Sequence, residues 1–121
     1  MAVTGIGGFF FRSRDPEALA AWYLEHLGVG AAPGAYVWPQ QEGLTVFAPF
    51  KQDSDYFAAD KAFMLNFRVD DLEDLTTRLK AAGIEVITKP EWDAMPEIGR
   101  FARIHDPEGN AIELWEPAAA K

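Results

Sequence analysis

The feature that most constrains how this chain can fold is a repeat inside it. The stretch "FFFRSRDPEALAAWY" at residues 9–23 returns as "LNFRVDDLEDLTTRL" at residues 65–79. In that alignment Phe11 falls on Phe67, Arg12 on Arg68, Asp15 on Asp71, Glu17 on Glu73 and Leu19 on Leu75. A second match sets "LTVFAP" on "IELWEP", which brings Pro49 over Pro117 and Thr45 over Glu113. Such self-similarity is the mark of one supersecondary unit used more than once.

The content of each copy follows from local chemistry. "GGFFFRSRD" is short and rich in β-favouring aromatics, so it reads as a strand. Asp15, Pro16 and Glu17 then start a helix: Asp15 can accept from free backbone N–H groups, and Pro16 suits the first helical position. Leu19, Trp22, Tyr23, His26 and Leu27 keep the helical spacing, and Gly28 is placed to end the helix in the left-handed conformation. Strands are expected around "AYVWPQ" and "GLTVFAP", with Pro39 favouring an edge or a bulge. The second half runs through the strand "FMLNFRV", a helix capped by Asp70 or Asp71 and closed by Gly83, and the strand "IEVIT". It ends in a hairpin, "RFARIH" and "AIELW" around the reversal "DPEGN".

Each half thus reads β-α-β-β-β, an α+β unit with one helix and a half-covered sheet, which needs a second copy to bury what remains. The halves occupy about residues 4–50 and 63–117 of a single domain over residues 1–121. Residues 50–62, "FKQDSDYFAADKA", connect them and read as a linker, with a flap over a site as the other reading.

Composition excludes several functions. Hydrophobic residues make up 49% of the 121, which is globular and not disordered. The net charge of −8 opposes binding to phosphate backbones and anionic membranes, so no nucleic acid and no membrane partner is expected. With no cysteine, a disulfide framework, a thiolate metal site and a cysteine nucleophile are excluded. No apolar run approaches the roughly 20 residues of a membrane span, and "MAVTGIGG" lacks the features of a signal peptide, so the expected location is cytoplasmic.

"RSRDPEALAAWYLEHLGV" and "FARIHDPEGNAIELWEP", in this order, resemble the vicinal oxygen chelate superfamily of glyoxalase I, bleomycin-resistance proteins, fosfomycin-modifying enzymes and extradiol dioxygenases. The resemblance covers nearly the whole chain. It implies two tandem βαβββ modules forming a curved mixed sheet around a ligand cavity, often completed by a homodimer. It also implies four metal-ligand positions, which fall on Gly8, Thr45, Met64 and Glu113 of this sequence. Only Glu113 is a conventional ligand. Glycine has no side chain, a neutral threonine hydroxyl binds poorly, and a thioether prefers soft metals. No bound metal or other cofactor is therefore expected.

Without a Lewis acid to polarise paired oxygens, the family's shared chemistry has no basis here. What remains is a pocket readable from strand alternation. If Gly8 faces inward so do Phe10 and Arg12; if Met64 does, so do Asn66 and Arg68; Glu113 brings Ala111 and Trp115. The neighbouring strand offers Phe101, Arg103 and His105, in a register that the sequence leaves open. Arg12 and Arg68, equivalent in the two halves, could form a cationic pair for a carboxylate or phosphate, or pair structurally with nearby acids. Glu113 could be a catalytic base or the partner of one of those arginines. Trp38, Trp92, Trp115 and Tyr36 could wall a ligand or fill the core.

The expected function is metal-free binding of a small molecule, as in the superfamily's sequestration and resistance proteins, with Phe10, Arg12, Thr45, Met64, Asn66, Arg68, Phe101, Arg103, Glu113 and Trp115 as candidate site residues. The alternative is an enzyme, either a lyase or isomerase related to glyoxalase I or a dioxygenase, with Glu113 as its catalytic residue.

Overall fold

Both helices begin where the repeat places them. In this computed structural model, which describes residues 2–31 and 36–118, helix α1 spans Pro16–Leu27 and helix α2 spans Leu72–Ala81. The Asp15 carboxylate accepts from the Ala18 N–H at 3.2 Å, and the Asp71 carboxylate accepts from the Asp74 N–H at 3.1 Å. Even the backbones agree, with φ −143° and ψ 84° at Asp15 and φ −146° and ψ 86° at Asp71. Each cap satisfies a donor that the helix cannot pair internally. Gly28 ends α1 at φ 66°, as expected of a left-handed cap.

Three strands form one sheet: β1 (Leu65–Arg68), β2 (Gly99–His105) and β3 (Ala111–Pro117), in the order β1-β3-β2. β1 runs parallel to β3, and β2 pairs antiparallel with it through the predicted hairpin. Alternation splits the sheet into two faces. Ala102, Ile104, Ile112 and Leu114 are completely buried and pack with Leu19 and Tyr23 of α1 and Leu72, Leu75 and Leu79 of α2. Each fully buried leucine or isoleucine side chain contributes about 1.5–3 kcal/mol by leaving water. The opposite face carries Asn66, Arg68, Phe101, Arg103, Glu113 and Trp115.

The "DPEGN" reversal is also an anchor. Asp106, buried at 4% exposure, accepts through Oδ1 from the Glu108 and Asn110 N–H groups and through Oδ2 from Asn110 Nδ2 and the Tyr23 hydroxyl. Burial, and then that bond to Asp106, hold the Tyr23 hydroxyl well above its ordinary pKa. Glu108 accepts from Ser13 Oγ at 2.7 Å and from the Arg14 and Asp15 N–H groups at 2.9 and 3.3 Å, which sets an anion beside the start of α1. The N–H bond from Arg14 and the hydroxyl of Ser13 pull the Glu108 carboxyl below the usual range. At α2 it is Glu116 that sets an anion beside the helix start, accepting from the Leu72 N–H at 2.8 Å.

The first half differs from expectation. Residues 6–12, 36–40 and 43–49 form no ladder among the described residues, and the strand expected at "AYVWPQ" begins at Ala35, outside them. "IEVIT" is reduced to one bridge, Ile87 to Arg103. The physical reason is that a strand exists only with a partner for its N–H and C=O groups. Alternation says that a segment wants a half-buried extended conformation; it does not supply the neighbour. Leu44, Val46 and Phe47 accordingly remain exposed, Phe47 at 86%.

Candidate functional site

The two ladders place Asn66, Glu113 and Arg103 side by side in one row across the sheet, and Arg68, Trp115 and Phe101 in the next. The open register of β2 is thereby decided: Arg103 stands opposite Glu113. Glu113 Oε1 accepts from Asn66 Nδ2 at 2.8 Å, and Oε2 accepts from the Tyr56 hydroxyl at 2.5 Å. Burial, and then the bond to Glu113, push the Tyr56 hydroxyl up to about 12, although Arg103 acts to lower it. Tyr56 is therefore a neutral donor to the carboxylate.

Arg103 is not paired with that carboxylate. Nη1 donates to the Tyr56 carbonyl oxygen at 2.7 Å, Nη2 meets Met64 Sδ at 3.5 Å, and the buried Nε has no acceptor among the described residues. The guanidinium lies over two rings, Tyr56 at 4.6 Å and Trp92 at 5.2 Å. Trp92 is held there by a 3₁₀ turn over Pro90–Asp93, whose Asp93 Oδ1 accepts from the Phe101 N–H at 2.9 Å. Phe101 and Trp115 stack with 8° between planes at 6.3 Å, and Trp115 Nε1 donates to the Ile98 carbonyl oxygen.

Of the sequence-predicted residues, Met64, Asn66, Phe101, Arg103, Glu113 and Trp115 thus meet on one face. Arg68 shares that face but makes its contacts elsewhere, and the remaining candidates do not join them. Phe10 is 93% exposed, and Gly8 and Thr45 are exposed and outside any ladder. Arg68 lies against Gly43 and donates to the Gln41 carbonyl oxygen at 3.1 Å, so it positions a turn. Arg12 lines a shallow cavity of about 320 Å³ with Ser13, Arg14, Lys61, Glu108 and Asn110. The expected pairing of Arg12 with Arg68 across one pocket is not met, because Arg68 is level with Trp115 and Arg12 lies beside Asn110, at the other end of β3. Equivalence in a repeat does not set proximity, and here it does not even give the same local structure, since Arg68 lies in β1 and residues 6–12 form no ladder. Nor is Glu113 in an ion pair: among the described residues the ion pairs are Arg78 with Asp74 and, when the imidazole is protonated, His26 with Glu25.

Sequence reasoning missed Tyr56. It belongs to the connector, which folds back across the sheet face: Phe50 packs on Tyr56 and Phe57, Tyr56 meets Trp92, and Lys61 Nζ donates to the Glu108 carbonyl oxygen at 3.2 Å. The usable signal was the aromatic pair Tyr56-Phe57 directly after the polar residues 51–55. The larger cavity, about 490 Å³, lies within residues 48–64 and includes only Met64 of the predicted residues.

A family profile for the Glyoxalase-like domain matches residues 8–115. The chain belongs to that family. The match runs through both halves of the repeat, including the first-half segments that lack a ladder. Among solved structures, the crystal structure of TnmS3, an antibiotic binding protein from Streptomyces sp. CB03234, is similar, at 25% identity and a TM-score of 0.60 over 97% of this chain and 98% of that one. No curated protein matches. The family's metal-ligand positions give a poor fit here: Glu113 is already bonded to Tyr56 and Asn66 beside a guanidinium, and Met64 Sδ faces that same cation. Among the described residues no three His, Cys, Asp or Glu side chains converge, and no helix is long and apolar enough to cross a membrane.

Proposed function

We propose that this chain is a small-molecule-binding protein of the Glyoxalase-like family, which holds its ligand without metal against the sheet face that carries Asn66, Glu113 and Arg103. The observation that supports this best is the row itself, a carboxylate beside a guanidinium that has no carboxylate partner among the described residues and is flanked by the Tyr56 and Trp92 rings. A few placed polar groups within aromatic walls make a surface that orients a ligand. The likeness to TnmS3, an antibiotic binding protein, adds a sequestration role.

The reading extends to architecture. The two halves are tandem βαβββ modules over about residues 4–50 and 63–117, and a second copy of the chain supplies the neighbour that the first-half segments lack. Exposed Leu44, Val46 and Phe47 are the apolar residues such a homodimer would cover.

The deciding experiment pairs elemental mass spectrometry on untagged protein, before and after incubation with Ni, Zn, Mn and Fe(II), with a screen of antibiotics by intrinsic tryptophan fluorescence. Binding without bound metal is the expected result. Near-stoichiometric metal that is lost in Glu113→Ala would overturn the metal-free reading and favour a glyoxalase-type or dioxygenase enzyme.

A further inference from the structure

Tyr56 does two things at once. Its hydroxyl donates to Glu113, and its carbonyl oxygen accepts from Arg103 while its ring covers the guanidinium. Apart from the Trp92 ring, the other partners of the guanidinium among the described residues are weak or missing, since a thioether is a poor acceptor and Nε has none. A half-buried guanidinium with an orphaned N–H is normally matched by a carboxylate, and here the one opposite it, Glu113, is taken by Tyr56 and Asn66. The pair is thus kept apart by one residue of the connector, which satisfies the acid with a hydroxyl and the base with a carbonyl.

We infer that Tyr56 is an internal stand-in for the ligand, and that the ligand which displaces it is an aromatic molecule presenting a hydroxyl to Glu113 and a carboxylate to Arg103. This rests on the binding role proposed for the same face. A carboxylate serves Arg103 better than the Tyr56 carbonyl does, because it brings the opposite charge and can accept two parallel N–H···O bonds from the guanidinium. The hydroxyl is required with it, since a carboxylate beside Glu113 is otherwise repelled. Residues 51–61 then act as a plug, and the apparent affinity of any ligand is lowered by the fraction of molecules in which the plug is out.

The probe is 3-(4-hydroxyphenyl)propanoate, which is tyrosine without its amine. Its affinity is measured by calorimetry against 3-phenylpropanoate, which lacks the hydroxyl, and tyramine, which lacks the carboxylate. Tyr56→Ala is expected to bind the probe about tenfold more tightly than the wild type by removing the competing side chain. Each truncated probe should bind Tyr56→Ala about tenfold less tightly, the effect of losing roughly one charge-assisted bond. Adding Arg103→Gln should abolish the gain, and in the wild type the probe should speed hydrogen exchange at residues 51–61. Should Tyr56→Ala fold poorly, Tyr56→Phe, which keeps the ring but not the hydroxyl, must still bind the probe more tightly.

Equal binding of the probe by wild type and a folded Tyr56 variant overturns the inference, as does indifference to the hydroxyl or the carboxylate. If other small molecules bind this face while the probe does not, the inference falls and the binding role stands. If neither the probe nor the screen gives a ligand in either form, both fall.

Discussion

The Tyr23 hydroxyl donates to Asp106 Oδ2 at 2.7 Å, joining α1 to the β2–β3 reversal across 83 residues of chain. The Asp106 carboxylate accepts three further bonds, all from Glu108 and Asn110 within its own turn, so Tyr23 is its one tie to another element among the described residues. Tyr23→Phe keeps the ring in the core and removes that tie. It should lower stability by about 1.5–3 kcal/mol, the range for a hydrogen bond to a charged group. Urea unfolding measures it; a loss under about 0.5 kcal/mol, typical of surface changes, would mean that water or Asn110 replaces the bond at no cost.

Two glycines near the site should respond differently to alanine. Gly99 opens β2 at φ 130°, and a Cβ there would strike the Glu116 carbonyl oxygen of the paired strand. Backbone of that kind is essentially glycine-only, so Gly99→Ala should cost on the order of 1–3 kcal/mol. At Gly43 the obstacle is the tip of the Arg68 side chain, which can swing aside. Thermal unfolding of both variants should show Gly99→Ala as clearly the worse.

The contact between Tyr56 and Glu113 should depend on pH on the alkaline side. Its phenol is held at about 12 against an ordinary value of 10.0, so the folded form holds the proton more tightly. Stability from this group is fully present below pH 10 and is lost as pH rises from there through about 12. Hydrogen exchange at residues 51–61 should therefore accelerate over that window, and Tyr56→Phe should flatten the response. An unchanged profile in Tyr56→Phe would assign the transition to another group.

The proposed homodimer makes a separate claim about the first half. Phe47→Glu puts a charge on a residue that a single chain leaves 86% exposed, so it should scarcely affect a monomer. In a dimer that buries Phe47, the unpaired carboxylate is costly, and sedimentation should show the variant dissociating at concentrations where the wild type stays paired. Identical sedimentation of the two proteins would remove Phe47 from any interface.

Much of the site's geometry was legible from residues close in sequence. Alternation put Asn66 with Met64 and Trp115 with Glu113, and the "DPEGN" turn forced β2 back alongside β3. The strand expectations of the first half went unmet because the same alternation there had no neighbour to pair with. Arg12 was misplaced for a related reason. Its equivalence to Arg68 is a fact about two local sequences, whereas their separation depends on how the halves pack.

By itself, then, the sequence determined the helix starts at Asp15 and Asp71, the left-handed stop at Gly28, the hairpin, and which residues of each second-half strand share a face. Each depends on capping, backbone freedom or alternation within a few residues. Only the tertiary structure set Arg103 opposite Glu113 and brought Tyr56 between them, because a ladder register and a contact spanning 57 residues depend on long-range packing.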